Sequence, residues 1–224
     1  MSLEGKVVLI AGGSGALGRT VVPAFALAGA QVITMDRHPP SGQVEGRQAM
    51  QADATDEADV QRLVADVLRR AGRIDVLINL IGGFAMGRVV ETDVAAWQRM
   101  LTMNLTAAFL LSKAVLPPML ARRTGRIVHV AARAAVDPFP GAAAYVVSKA
   151  GLVALVRTLA MEVAGSGVTV HGLLPSTIDT PANRSSMPEA DPATWAKPES
   201  IAQALLFLAA DEAGQFNGAL IPVG

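Results

Sequence analysis

The chain has 224 residues, of which 51% are hydrophobic and 17% are charged, and its 19 basic residues balance 19 acidic ones. This balance gives no reason to expect nucleic acid or an acidic membrane surface as a partner, and no uninterrupted apolar run of about 18 residues predicts a membrane span. The absence of cysteine excludes disulfides and thiolate metal sites.

Short apolar runs alternate with longer helical stretches. The predicted strands cover residues 6–11, 31–35, 47–52, 74–79, 125–132, 168–174 and 219–223. Helices are predicted up to about residue 28, over 56–71, over 93–116, from the region of Tyr145 to about 164, and over 198–210. Pro117 and Pro118 are expected to stop the third of these helices. Residues 38–46 and the proline-rich residues 175–197 are expected to be loops.

Alternation of strand and helix predicts parallel strands joined by right-handed crossovers. We therefore expect a doubly wound, Rossmann-type α/β fold, a three-layer α/β/α sandwich formed by one domain over residues 1–224. The first residues run directly into a strand with no signal peptide ahead of it, so we expect a cytoplasmic protein.

A glycine-rich turn follows the first strand and opens the first helix. Its Gly13, Gly15 and Gly18 satisfy G-x-G-x-x-G. Glycines there permit a tight turn and a close approach of the backbone to a pyrophosphate, and the helix N-terminus favours negative charge. A plain strand-to-helix turn is the weaker interpretation, because an acid stands at the end of the next strand.

That acid is Asp36, near the spacing at which a carboxylate hydrogen-bonds an adenosine ribose diol. A carboxylate there repels a 2′-phosphate, so we expect NAD(H) to be favoured over NADP(H). Arg37 could swing toward such a phosphate, which is the weaker alternative. Asp53, after the third strand, could reach the adenine edge or could cap the next helix.

Tyr145 and Lys149 stand four residues apart in a predicted helix and therefore share one face. An ammonium beside a phenol favours the phenolate, which would lower the pKa of Tyr145 and make it a usable acid or base. A lone helical tyrosine is more often a packing residue. The glycine-rich turn in the same chain favours the catalytic interpretation.

With these motifs in place, the chain resembles a short-chain dehydrogenase/reductase over essentially its whole length. The family's helix asparagine corresponds to Asn104, and its Asn-Asn-Ala-Gly turn to residues 79–82, of which only the first Asn and the Gly are kept. The resemblance implies that Tyr145, Lys149 and Asn104 are catalytic, with Asn104 holding a water that relays protons to Lys149.

The resemblance also implies a set of residues that bind the cofactor from the strand ends. They are Gly12, Gly13, Ser14, Gly15, Ala16, Leu17, Gly18, Asp36, Arg37, Asp53, Ala54, Asn79, Gly82, Tyr145, Lys149, Pro175, Ile178 and Thr180. Ala16 departs from the family pattern, which usually has a glycine there.

The largest departure is Ala132, thirteen residues before Tyr145, where the family usually has a serine that donates to the substrate oxygen. Loss of such a donor typically costs about a hundredfold in rate. Residues 174–191 with Trp195 are similar to the loop of dihydropteridine reductase, a subgroup that also has alanine at this position and prefers NADH. A reductase of quinonoid pterins is therefore one alternative, and a non-catalytic dinucleotide sensor is another.

The helices that carry Asn104 and Tyr145 are apolar on more than one face, which suggests burial on all sides. The corresponding helices of the family pair across a two-fold axis, which implies a homodimer or homotetramer acting on a small-molecule substrate. The three histidines, His38, His129 and His171, are isolated from acidic partners, so we expect structural roles for them and no metal site.

Overall fold

The computed structural model describes residues 1–39 and 47–224. Within them the chain forms a seven-stranded parallel sheet in the order β3-β2-β1-β4-β5-β6-β7. The strands are β1 (Val7–Ala11), β2 (Gln31–Asp36), β3 (Arg47–Gln51), β4 (Val76–Asn79), β5 (Gly125–Val130), β6 (Val168–Pro175) and β7 (Leu220–Val223). The predicted Rossmann-type fold is confirmed.

Helices cover both faces of this sheet. They are α1 (Gly18–Leu27), α2 (Glu57–Ala71), α3 (Val94–Leu101), α4 (Ala107–Arg122), α5 (Ala143–Glu162), α6 (Pro181–Ser186) and α7 (Pro198–Ala209). One hydrophobic core joins the sheet to α2, α4 and α5, and a second joins it to α1 and α7. Because both faces are covered, β1, β4, β5 and β6 are buried along their whole length.

The strand order reverses between β1 and β4, which are adjacent in the sheet with Ile10 opposite Ile78. The loops that leave these two strands depart in opposite directions and open a crevice at the carboxyl edge of the sheet. The glycine-rich turn after β1 and the turn after β4 therefore lie side by side at the place where a ligand can enter.

The long predicted helix over residues 93–116 is wrong in two respects. Helix α3 is followed by a π-helical turn (Thr102–Thr106), and α4 then continues through Pro117 and Pro118 to Arg122. Tertiary contacts explain the continuation, because Met119 is fully buried and the Arg122 guanidinium lies 2.8 Å from the Asp75 carboxylate. These contacts offset the proline cost, which is about 3 kcal/mol in a helix interior.

Two helical stretches, 94–122 and 143–162, are long and apolar enough to cross a membrane by length and composition alone. Both contribute buried residues to the core on one face of the sheet, such as Leu111 and Val156. The core helices of a sandwich pass the same test, so these stretches are weak evidence for a membrane span.

The predicted loop at 175–197 contains more structure than the sequence indicated. Helix α6 is capped by Thr180, whose Oγ1 accepts from the Asn183 backbone N–H at 3.2 Å, and a short 3-10 turn follows at Pro192–Thr194. Asp179 binds Arg184 at 2.6 Å and Lys197 at 2.7 Å, which ties α6 to the approach of α7. Of the predicted loop at 38–46, residues 40–46 lie outside the described residues.

Candidate active site

The glycine-rich turn after β1 has no room for side chains at two of its glycines. A Cβ added to Gly13 would lie 2.6 Å from Thr34 Cγ2, and one added to Gly18 would overlap the Gly13 carbonyl. Gly12 has a φ of +85°, which L side chains rarely adopt. The glycines are therefore required because this turn packs tightly against Thr34 of β2 and against its own backbone.

The same turn fits the phosphates of a dinucleotide. Helix α1 begins at Gly18, directly after Ala16 and Leu17, with no side-chain cap, and the buried Ser14 hydroxyl oxygen has no hydrogen-bond partner among residues 1–39 and 47–224. An uncapped helix start presents backbone N–H groups and a partial positive charge. Residues 12–18 can therefore hold an anionic phosphate through N–H groups and one hydroxyl.

Asp36 ends β2 beside this turn, where it is buried and accepts a hydrogen bond from Ser14 N at 2.8 Å. The next residue, Arg37, lies 3.0 Å from the Asp53 carboxylate. Asp53 also accepts from the Thr55 backbone and hydroxyl. Burial acts to raise the pKa of Asp53, but the hydrogen bonds from Thr55 and Arg37 outweigh it and hold the pKa below its usual value.

The alternative role of Asp53 as a helix cap is wrong. Helix α2 is capped by Asp56, whose carboxylate accepts from Asp59 N at 2.8 Å. Ala54, between Asp53 and this cap, is buried. Asp53 and Ala54 therefore lie at the carboxyl edge of β3 without a capping function.

Asn79 ends β4 with its side chain turned into the protein. Its Oδ1 accepts from the Ile81 backbone N–H at 3.0 Å, which fixes the turn that follows the strand. Gly82 lies in that turn, and a Cβ added to it would come within 3.0 Å of Lys149 Nζ and 2.9 Å of Asn104 Oδ1. Lys149 and Asn104 therefore pack against the backbone of Gly82, where a side chain would not fit.

Lys149 is buried on α5 and donates a hydrogen bond to the Val130 carbonyl at 2.9 Å. Burial lowers the pKa of Lys149 to about 8. Burial raises the pKa of Tyr145 above its ordinary value, the opposite of the direction expected from the neighbouring ammonium. Desolvation of the phenol thus outweighs any attraction of Lys149 for the phenolate.

Asn104 lies in the π turn between α3 and α4 and is fully buried. Its Oδ1 accepts from Gly83 N at 2.8 Å, and its Nδ2 donates to Gly83 O at 3.0 Å and to Ser148 Oγ at 2.9 Å. The side-chain amide is thus occupied by protein groups. A water relay of the kind implied by the family would therefore have to bind the Asn104 backbone. The π turn makes the helix wider at this residue.

Two contacts of the tyrosine helix were not predicted from the sequence. Ser148 Oγ donates to the Tyr145 carbonyl at 2.7 Å and so joins Asn104 to α5. The Phe84 ring meets the Tyr145 ring edge-on, with centroids 4.9 Å apart and planes at 80°. Phe84 directly follows the Gly82–Gly83 pair, and this position in the sequence is the feature that could have indicated its contact with Tyr145.

The remaining predicted residues lie at the ends of β5 and β6. Ala132 is buried in extended conformation two residues beyond Val130. Pro175 ends β6, Ile178 pairs with Ala196, and Thr180 caps α6. The carboxyl ends of the strands thus bring the predicted residues to one edge of the sheet.

The sequence model described as short chain dehydrogenase matches residues 6–191. The chain belongs to the short-chain dehydrogenase family. It is 31% identical to the 3-oxoacyl-[acyl-carrier-protein] reductase of Thermotoga maritima, covering 100% of this chain and 98% of the relative. It is also 31% identical to a Mycobacterium tuberculosis protein named as an uncharacterized NAD-dependent oxidoreductase, covering 99% of this chain and 95% of the relative.

A solved structure agrees with the family. The ligand-free aldohexose dehydrogenase of Thermoplasma acidophilum superposes with a TM-score of 0.90 at 28% identity, covering 99% of this chain and 93% of that one. As a short-chain dehydrogenase, the protein is an oxidoreductase of a family that binds nicotinamide cofactors.

The lowered pKa values of two buried histidines predict that the stability of this dehydrogenase decreases in acid. Burial and the charge of Lys149 lower the pKa of His129 to about 3, and burial with Arg126 lowers the pKa of His171 to about 4. An unfolded histidine has a pKa of about 6.5, so only the unfolded chain gains these protons as the pH falls from about 6.5. We expect the free energy of unfolding to decrease from pH 6.5 toward pH 4.

Urea titrations at half-unit pH steps measure this decrease. In His129→Gln the free energy of unfolding should fall less steeply with decreasing pH, by up to about 1.4 kcal/mol per pH unit, which is the value for one proton. The same slope in this variant and in the unchanged protein would show that His129 does not stay neutral.

Proposed function

We propose that this short-chain dehydrogenase is NAD(H)-dependent and transfers hydride between the nicotinamide and a small organic substrate, with Tyr145 as acid or base. One observation carries the proposal. The turn that follows β4 packs against Gly12 of the glycine-rich turn on one side and against Lys149 Nζ and Asn104 on the other. A cofactor held by the glycine-rich turn would thus lie beside the Tyr145–Lys149 pair.

The nicotinamide supplies the hydride chemistry, and the chain orients the reactants and handles the proton. Tyr145 holds or gives a proton at its phenol oxygen. Lys149, with a pKa of about 8, is mostly charged at neutral pH and close enough to neutrality to exchange its own proton. The positive charge of Lys149 favours the phenolate of Tyr145 and so acts against burial, which raises the pKa of that phenol. Lys149 Nζ would also hold the nicotinamide ribose hydroxyls.

Asp36 and Arg37 support a preference for NADH. The Asp36 carboxylate lies at the end of β2 against Ser14 N, and Arg37 is paired with Asp53 at 3.0 Å. A 2′-phosphate would meet a buried carboxylate, while the Arg37 guanidinium is already engaged by Asp53.

Fluorescence titration with NADH and NADPH tests this preference. We expect NADH to bind at least tenfold more tightly, and Asp36→Ala to remove most of that difference by improving NADPH binding. Tighter binding of NADPH to the unchanged protein would contradict the proposed cofactor.

Ala132 favours a second candidate, a reductase of quinonoid pterins. An electron-poor pterin ring accepts hydride without a carbonyl oxyanion, so it needs no hydroxyl donor where Ala132 lies. Ala132 also fits a non-catalytic sensor, but the sensor does not explain why Tyr145, Lys149 and Asn104 are kept together.

Oxidation of NADH should be followed with quinonoid dihydrobiopterin and with a panel of ketones and quinones, with NADH affinity measured in parallel. Turnover of the pterin alone would select the pterin reductase. Binding of NADH without any turnover would select the sensor and overturn the proposed activity.

We further propose that the dehydrogenase forms a dimer or tetramer through α4 and α5. Both helices leave large apolar side chains exposed, among them Phe109, Leu120, Val147 and Met161. Large apolar side chains left exposed on two helices favour association. Light scattering should give a mass at least twice that of the chain, and Phe109→Asp should lower it; a monomer at assay concentration would contradict the proposal.

A further inference from the structure

His129 is a fully buried imidazole on β5 that the proposed reaction does not use. Its Nδ1 lies 3.1 Å from Asn79 Nδ2, and its Nε2 lies 2.9 Å from Ser112 Oγ. These contacts link β4, β5 and α4 beneath the carboxyl edge of the sheet. The link ends at the turn that separates the glycine-rich turn from Lys149.

The direction of every hydrogen bond in this link follows from its two ends. The Ile81 N–H donates to Asn79 Oδ1 at 3.0 Å, so the Asn79 amide NH₂ must face His129, and Nδ1 must accept. At the other end the Ser112 hydroxyl donates to the Ala108 carbonyl at 2.8 Å. Its oxygen therefore accepts from His129, and the proton of the imidazole lies on Nε2.

We propose that His129 is a positioning residue that holds the turn at residues 80–83 in place for cofactor binding, acting through Asn79. The proposal rests on the proposed function, because its consequence is measured on NADH. His129 touches neither cofactor nor substrate and acts by fixing the rotamer of Asn79.

The turn transmits small shifts to both sides of the site. A Cβ added to Gly12 would lie only 3.2 Å from Ile81 N, so the Ile81 backbone packs directly against the glycine-rich turn. On the other side, Gly82 approaches Lys149 Nζ, which is itself held by the carbonyl of Val130, the residue after His129. His129 thus supports the turn on one side of Lys149 through Asn79, and it directly precedes Val130, whose carbonyl binds Lys149 on the other side.

The link accepts only a neutral imidazole. A proton on Nδ1 would face the Asn79 amide NH₂, and turning that amide over would set its NH₂ against the Ile81 N–H. Burial and the positive charge of Lys149 both lower the pKa of His129, so they act in the same direction as these contacts. This arrangement keeps the orientation of Asn79 fixed over the pH range in which the enzyme would work.

Two replacements of His129 separate positioning from packing. His129→Leu fills the space without an acceptor, and His129→Asn keeps a carbonyl Oδ1 near the position of Nδ1, where it can accept from Asn79. We expect His129→Leu to raise the Kd for NADH about tenfold or more, and His129→Asn to stay within about threefold of the unchanged protein. Asn79→Ala should match His129→Leu, and the double variant should be little worse than either single one.

Ser112→Ala is the matched control, because it cuts the far end of the link and leaves Asn79 untouched. It should lower the melting temperature and leave the Kd for NADH unchanged. In the cofactor-free protein, ¹⁵N resonances of labelled His129 should show an unprotonated Nδ1 and a protonated Nε2 from pH 5 to 8. This readout needs no variant, so it applies even where His129→Leu fails to fold.

Three results would overturn the inference while leaving the proposed function intact. They are NADH binding by His129→Leu at the strength of the unchanged protein, additive effects of His129→Leu and Asn79→Ala, and a proton on Nδ1. Failure of the unchanged protein to bind NADH would overturn the proposed function and the inference with it.

Discussion

Tyr145→Phe should lower kcat by about a thousandfold, within the range typical of a lost general acid or base. The change removes only the phenol hydroxyl and keeps the ring that packs edge-on against Phe84. The Kd for NADH should change less than about threefold, because the glycine-rich turn and Lys149 are untouched. Steady-state kinetics on the best substrate of the panel, with fluorescence titration of NADH, measure both quantities.

The control for Tyr145→Phe is Lys149→Met, which removes the ammonium that lies between Gly82 and the Val130 carbonyl. It should reduce NADH affinity and turnover together. Unchanged turnover in Tyr145→Phe would remove Tyr145 from the reaction, whatever the result with Lys149→Met.

Ala132→Ser should raise kcat/KM for ketones by up to about a hundredfold, the typical value of one donor to a developing oxyanion. Ala132 is extended and buried at the end of β5, so a serine there adds one hydroxyl with little backbone change. Quinonoid pterin should be reduced at an unchanged rate, since it forms no carbonyl oxyanion.

Ala132→Val is the matched control, because it adds bulk without a donor and should not accelerate any ketone. An equal gain in Ala132→Ser and Ala132→Val would attribute the effect to packing. No gain for any ketone in Ala132→Ser would show that the missing hydroxyl does not limit the rate.

The sheet could be predicted from the sequence because its central strands are short, continuous apolar runs, and runs of this kind are buried on both faces in an α/β fold. The predicted boundaries of β1 and β6 lie within one residue of the observed ones. The glycine-rich turn was predictable for a similar reason, since the steric demand at Gly13 and Gly18 is local. These elements are therefore determined by interactions between residues that are close in sequence.

The parts that could not be predicted depend on distant contacts. Nothing near Pro117 indicates that α4 continues, because the contact that holds its end joins Arg122 to Asp75, 47 residues away in sequence. The raised pKa of Tyr145 likewise comes from burial by the whole fold, whereas the sequence shows only the ammonium four residues on. His129 was expected to be structural, but its partners Asn79 and Ser112 lie on other elements.

The π turn at Thr102–Thr106 has a consequence for aligning this chain with others. Each residue of an α-helix advances about 100° around the axis, and a π turn holds one residue more than an α-helical turn. A relative with a continuous helix in this region would match α3 and α4 only across a gap of one residue. Placing that gap on the wrong side of the turn would assign the position of Asn104 to Met103 or Leu105. Alignments here should be anchored separately on Trp97 and on Ser112, and the gap should be placed inside the turn.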